Sequence, residues 1–269
     1  MRGVSASAPD WRRGALAALA LMKRRRRHSP HRTSRNMTAW LFWGCSFTAY
    51  GPVAAVAYGA CKRRPHIVIW IIVCALVWSL FALLSSLLWI LLPESPWSGL
   101  VLLVTSVQCA RWALHRLVLW GTLRGAAQSD IRALFSKEAS LAMDVAAGAA
   151  FGLASTMASV SPVLDLSFSR ATLYTPSCTH ASLFWVQSFQ GLLFSLLHVC
   201  WGVIAFDGLR RNRWLPVIGV GALHLIAAFV TTANDLQSGC AITLPVLSLW
   251  LLFNAFLVYR NVMGRFYLA

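Results

Sequence analysis

Two imidazoles stand where hydrocarbon is expected. His198 lies in Leu196-Leu197-His198-Val199-Cys200-Trp201-Gly202, nine residues before Asp207, and His224 lies in the next apolar run, eleven residues after Arg213. At the helical rise per residue, both sit about 14–17 Å from the same membrane face, on antiparallel neighbours. A polar ring in hydrocarbon needs a partner and is by default a functional-site candidate. The pair could form a hydrogen-bonded polar node between its two helices, hold a metal ion, or do chemistry. A metal needs three or four ligands. Cys200 is two residues from His198, about 200° around the helix, and no acid falls at that depth, so no metal site is indicated. The plainer reading, two separate histidines capping stray backbone carbonyls, stays open.

Arg111 is the other costly residue. Near the middle of an apolar segment it is unfavourable by roughly several kcal/mol if it faces lipid, so it should face the bundle interior. Gln108 stands three residues before it. His115 and Arg116 are close enough to the segment's end to reach the interface along their own stems. Gly148 and Gly152 form a small-x-x-x-small pair in a segment rich in Ala, Gly and Ser. Such a face admits close backbone approach, either by a helix of another subunit or by one within the same bundle.

Catalysis by this chain alone is disfavoured. Intramembrane aspartyl chemistry needs two carboxylates at matched depth, whereas Asp144, Asp165 and Asp207 all lie near segment ends. There is no His-Glu-x-x-His and no Gly-x-Ser-x-Gly pattern. A stand-alone transporter should carry an inverted repeat with discontinuous helices in both halves. A single Gly51-Pro52 break gives that little support. No catalytic residues and no cofactor site are therefore assigned.

The elements that position these residues are membrane spans. The 269-residue chain is 58% hydrophobic and 12% charged, which excludes one soluble domain of this length and fits a polytopic membrane protein. Apolar segments run over 38–60, 66–92, 99–121, 140–165, 181–206, 214–233 and 242–260. Each is near or above the roughly 20 residues that cross a bilayer as a helix. The expected class is an all-α protein of seven transmembrane helices, the first bent at Gly51-Pro52.

Basic residues mark alternate loops: Lys62, Arg63 and Arg64; Arg124, Arg132 and Lys137; Arg210, Arg211 and Arg213; then Arg260 and Arg265. The positive-inside rule makes those loops and the C-terminus cytoplasmic and the N-terminus extracytoplasmic. The net charge of +16 is thus mainly topological, and a nucleic-acid partner is not expected. Residues 1–36 conflict with the pattern, because they carry the run Lys23 to Arg27 and only Asp10 as an acid. Two readings compete for them, an organellar transit peptide or a basic, disordered or non-native extension, and the latter is expected to precede a transmembrane domain over 37–269. Seven scattered cysteines without a Cys-x-x-Cys pair make no zinc site or disulfide framework. Cys178 and Cys240 fall in loops on the same expected oxidising face and could pair.

The ordered motifs carry a family resemblance. Met37-Thr-Ala-Trp-Leu-Phe-Trp-Gly-Cys-Ser-Phe-Thr-Ala-Tyr-Gly-Pro52, the Leu-Leu-His-x-x-Trp-Gly run ending at Gly202, Phe206-Asp207 with its basic loop, His224, Asn234 and Leu244-Pro245 resemble the anterior-pharynx-defective subunit of gamma-secretase. The resemblance covers residues 37–269. It implies a seven-span, non-catalytic scaffold in endomembranes or the plasma membrane, partnered by presenilin, nicastrin and the presenilin enhancer. Such a complex cuts type I membrane proteins, with its catalytic aspartates on the presenilin chain. The family's fourth span has three glycines four residues apart. Here Gly148 and Gly152 fit and Thr156 takes the third place, still small enough to pack, and the resemblance implies that this stripe receives a helix of another subunit. The family has an acid where this chain has Gln108, so Arg111 needs a further acceptor.

Overall fold

The computed structural model describes residues 34–62, 64–91, 96–125, 137–167, 173–175, 178–236 and 238–266. The basic segment 1–33 and most of the loop around Arg132 lie outside the described residues. Among the described residues, seven long helices occupy the seven apolar segments: α1 (Ser34–Cys61), α2 (His66–Ile90), α3 (Pro96–Gly125), α4 (Lys137–Leu166), α5 (Leu183–Arg210), α6 (Trp214–Thr231) and α7 (Cys240–Phe266). A short antiparallel pair, β1 (Tyr174–Thr175) and β2 (Cys178–Ser182), precedes α5.

Five of these helices, α2 and α4 to α7, are long and apolar enough to cross a membrane by length and composition. α1 and α3 are as long but more polar. α1 carries Trp40, Trp43, Tyr50 and Tyr58, and α3 carries Gln108, Arg111, His115 and Arg116. α1 runs on as helix through Pro52, as do α4 through Pro162 and α7 through Pro245. Such residues are tolerated in membrane helices when neighbours satisfy the freed backbone groups.

Thr38–Ala269 forms one compact unit, and α5 is its axis. Within the most apolar stretch of α5, 67% is buried, against 17% for α2, where Ile69, Ile72, Leu76, Leu80 and Leu83 point outward. One cluster joins Cys74 and Trp78 of α2, Val107 and Leu114 of α3, Ala147 and Phe151 of α4, and Phe206 of α5. A second joins Leu197, Trp201 and Ile204 of α5 to Val220 and Ala227 of α6 and Leu247 of α7. α1 lies against α4 and α5 through Cys45, Ala49, Val160, Leu164 and Phe184. Tyr50 adds a hydrogen bond to the hydroxyl of Ser161 at 3.0 Å.

Cys178 and Cys240 are disulfide-bonded, with Cα atoms 5.7 Å apart. The bond ties the β-hairpin to the first residue of α7. At the opposite end of α5, Arg210 makes a two-pronged ion pair with the buried Asp144 of α4. Arg211 reaches back one turn to Asp207 at 3.1 Å.

Candidate functional site: a polar node beside a glycine seam

α3, α5 and α6 bring Gln108, Arg111, His198 and His224 together. Arg111 is 2% exposed, His198 1% and His224 6%, so each group depends on protein partners. A guanidinium only donates, and that fact orders the whole node. Nη1 of Arg111 donates to Oε1 of Gln108 at 2.9 Å, and Nη2 donates to Nδ1 of His198 at 3.0 Å. With Oε1 turned to Arg111, the Gln108 amide nitrogen faces Nδ1 of His224 and donates to it at 3.4 Å. Both histidines therefore accept at Nδ1 and carry the ring hydrogen on Nε2.

The expected bond between the two histidines is not made. Their rings meet edge to face, with centroids 5.1 Å apart, and the Gln108–Arg111 pair bridges them instead. A charged donor forms the stronger bond, so it takes the lone pair that a neighbouring imidazole would otherwise receive. The further acceptor that Arg111 required is thus His198. Its guanidinium also lies 5.5 Å over the Phe151 ring, which adds a cation–π contact. Among the described residues, no carboxylate lies within 4 Å of Arg111, and no three His, Cys, Asp or Glu side chains converge to hold a metal.

Two residues that were not singled out complete the node. Trp201 stacks on His224 at 4.5 Å and presents its edge to His198 at 5.3 Å. Its indole N–H donates to Oδ1 of Asn254 at 3.0 Å, and the Asn254 amide donates to the carbonyl of Trp250 at 2.8 Å. The signal was present in the sequence. Trp201 stands one turn after His198, and Asn254 is a lone amide inside an apolar span, which must find a partner.

The other face of α5 meets α4 with almost no side chain between them. A Cβ added to Gly152 would lie 2.6 Å from the carbonyl oxygen of Ser195; one at Gly148 would lie 2.7 Å from Cα of Val199. One at Gly202 would lie 2.7 Å from Cα of Gly148. Thr156 closes the seam by donating to the carbonyl of Gly191 at 3.2 Å. The expectation that this stripe receives a helix of another subunit is corrected here. The stripe is filled by the chain's own α5, because Gly191, Ser195, Val199 and Gly202 supply a matching face.

Interior polar bonding and membrane-length apolar helices define a polytopic integral membrane protein built on helices. A family profile described as Aph-1 protein matches residues 40–265. The chain belongs to the Aph-1 family. It is similar to gamma-secretase subunit Aph-1b of Danio rerio, with 28% identity covering 80% of this chain and 88% of the relative. Gamma-secretase subunit APH-1B of Mus musculus is 30% identical over 72% of this chain and 79% of its own length. Gamma-secretase subunit Aph-1 of Drosophila melanogaster is 30% identical over 74% and 83%.

Proposed function

We propose that this chain is a non-catalytic scaffold subunit of a gamma-secretase-type protease complex, with presenilin-, nicastrin- and presenilin-enhancer-type partners. In this reading it spans the membrane seven times, with the N-terminus outside and the C-terminus in the cytoplasm. It holds the complex together for intramembrane cleavage of type I membrane proteins in endomembranes or at the cell surface. The observation that carries the reading is the bonding of the node. Arg111, Gln108 and one nitrogen of each histidine are taken up by one another, which locks α3, α5 and α6 together. Arg111 and the two histidines are also at most 6% exposed, so these groups fix helices and present no open face to a substrate.

The disulfide supports the orientation. Cys178 in β2 and Cys240 at the start of α7 lie at the end of the helices away from the basic clusters, where an oxidising compartment is expected. The Arg210–Arg213 cluster lies at the other end of α5.

Affinity purification of the tagged full chain in mild detergent, with identification of co-purifying membrane proteins, tests the assignment. The expected result is co-purification of a presenilin-type protease. Measuring complex yield and cleavage per assembled complex for His198→Ala and His224→Ala then tests the scaffold role. Lower yield with retained activity per complex is expected. Normal yield with abolished activity would overturn the scaffold in favour of a histidine-dependent enzyme.

A further inference from the structure

At the end of α5 the chain turns sharply into α6. The N–H of Asn212 bonds the carbonyl of Leu209 at 3.1 Å, and that of Arg213 bonds Gly208 at 2.8 Å. Asn212 has φ 53°, a left-handed conformation that asparagine tolerates better than most residues. Gly208 lets the turn close, since a Cβ there would lie 3.1 Å from the Arg213 carbonyl oxygen and 3.2 Å from Pro216 Cβ. The turn delivers Arg213 and Trp214 opposite Trp112, His115 and Arg116 of α3. Between them lies a cavity of about 240 Å³.

The cations around this cavity are not equivalent. Arg210 is committed to Asp144. Arg116 lies over the ring of its own neighbour Trp112 at 5.5 Å, and among the described residues neither Arg116 nor Arg213 has a carboxylate within 4 Å. The two indoles are half exposed, Trp112 at 47% and Trp214 at 53%, as tryptophans at a headgroup layer are. Leu215 and Ile218, on the first turns of α6, are 82% and 66% exposed and offer apolar surface alongside. The volume falls below the roughly 300–1,000 Å³ of drug-sized sites. It suits a headgroup whose chains run outside.

We propose that this cavity binds the phosphate of an anionic glycerophospholipid, with Arg116 and Arg213 as its cationic partners and the acyl chains lying along α6. Guanidinium forks match phosphate oxygens two at a time. Basic pockets between spans at a membrane interface are suited to anionic headgroups. The inference rests on the chain being a membrane protein and not on the protease complex.

Native mass spectrometry of the full chain in mild detergent, with dioleoyl phosphatidic acid or dioleoyl phosphatidylcholine added at equal concentration, tests it. Phosphatidic acid should be retained in preference to phosphatidylcholine. Each guanidinium removed should weaken retention about fivefold, so R116Q/R213Q should lose roughly 25-fold. R260Q, an exposed cation on α7, should change nothing. A tenfold excess of inorganic phosphate should leave the lipid bound; displacement would reassign the cavity to a free phosphate and overturn the lipid proposal. Equal retention of the two lipids, or full retention by the folded double variant, would also overturn it. If the double variant does not fold, R116Q alone carries the same test at fivefold.

Discussion

The two faces of α5 hold the bundle by different means. Toward α4, Gly191, Ser195, Val199 and Gly202 meet Gly148, Gly152 and Thr156, and backbone lies against backbone. Toward α3, α6 and α7, His198 and Trp201 reach Arg111, His224 and Asn254 through hydrogen bonds and stacked rings. In lipid, apolar contact between helices gives no hydrophobic gain over contact with acyl chains, so close packing and polar bonds must supply the association. The seam uses dispersion over many short contacts, and its weakness is steric. The node uses a few directed bonds, and its weakness is a stranded donor. Added atoms should destroy the first, and removed atoms should damage the second.

The largest effect is expected at the seam. Gly152→Leu would drive a side chain against the Ser195 backbone, which no rotamer change relieves. Extra methylenes in a packed interior cost about 1–3 kcal/mol when neighbours can shift, and here the neighbour is main chain. Folded yield of the chain expressed without partners, read by size-exclusion chromatography, should collapse for Gly148→Leu and Gly152→Leu. Leu83→Ala, on the outward face of α2, should be tolerated. Tolerance of Leu at both glycines would remove the seam from the comparison.

Next comes the node. His198→Ala strands the buried guanidinium of Arg111, at about 1–3 kcal/mol or more because the donor is charged. His224→Ala removes a 3.4 Å bond to a neutral amide and the ring stacked on Trp201, but strands no charged donor and should cost less. Thermal unfolding in detergent should show that order. A double-mutant cycle sharpens it, because His198 should couple more strongly to Arg111 than to His224. The reverse order of couplings would restore a direct histidine pair as the centre of the node.

A smaller loss is expected from Trp201→Phe, which keeps the stacked ring and deletes the bond to Asn254. Interhelical hydrogen bonds of this kind average about 0.6 kcal/mol, with a maximum near 1.7. A cycle with Asn254→Ala should return a coupling in that range. A coupling of zero would mean that this bond adds nothing to the hold of α5 on α7.

The smallest effect should come from Cys178→Ser. The disulfide joins two segments already held by membrane helices, so reduction should lower the melting temperature slightly and leave node and seam intact. Non-reducing peptide mapping should recover the linked pair, and free thiols at both positions would count against it.

Much of this architecture was legible along the chain. The seven apolar segments became seven helices because hydrophobic runs of bilayer length leave the backbone few alternatives to internal bonding. His198 and His224 could be placed at one depth by counting residues from Asp207 and Arg213, since helical rise is fixed. The inward direction of Arg111 followed from the cost of a cation in lipid. What the chain did not carry was pairing. That Arg111 would take the His198 lone pair, leaving the two histidines edge to face, depends on where α3 sits between α5 and α6. Asn254 was readable as a polar group needing a partner, yet the identity of Trp201 as that partner needed the approach of α7. The sequence by itself determined which residues are too polar or too small to face lipid, because transfer cost and side-chain size are local properties. Only the tertiary structure decided what they face. Gly148 and Gly152 read the same whether α5 or another subunit's helix fills them, and it is α5 that does, because its own stripe of small residues arrives in register with theirs.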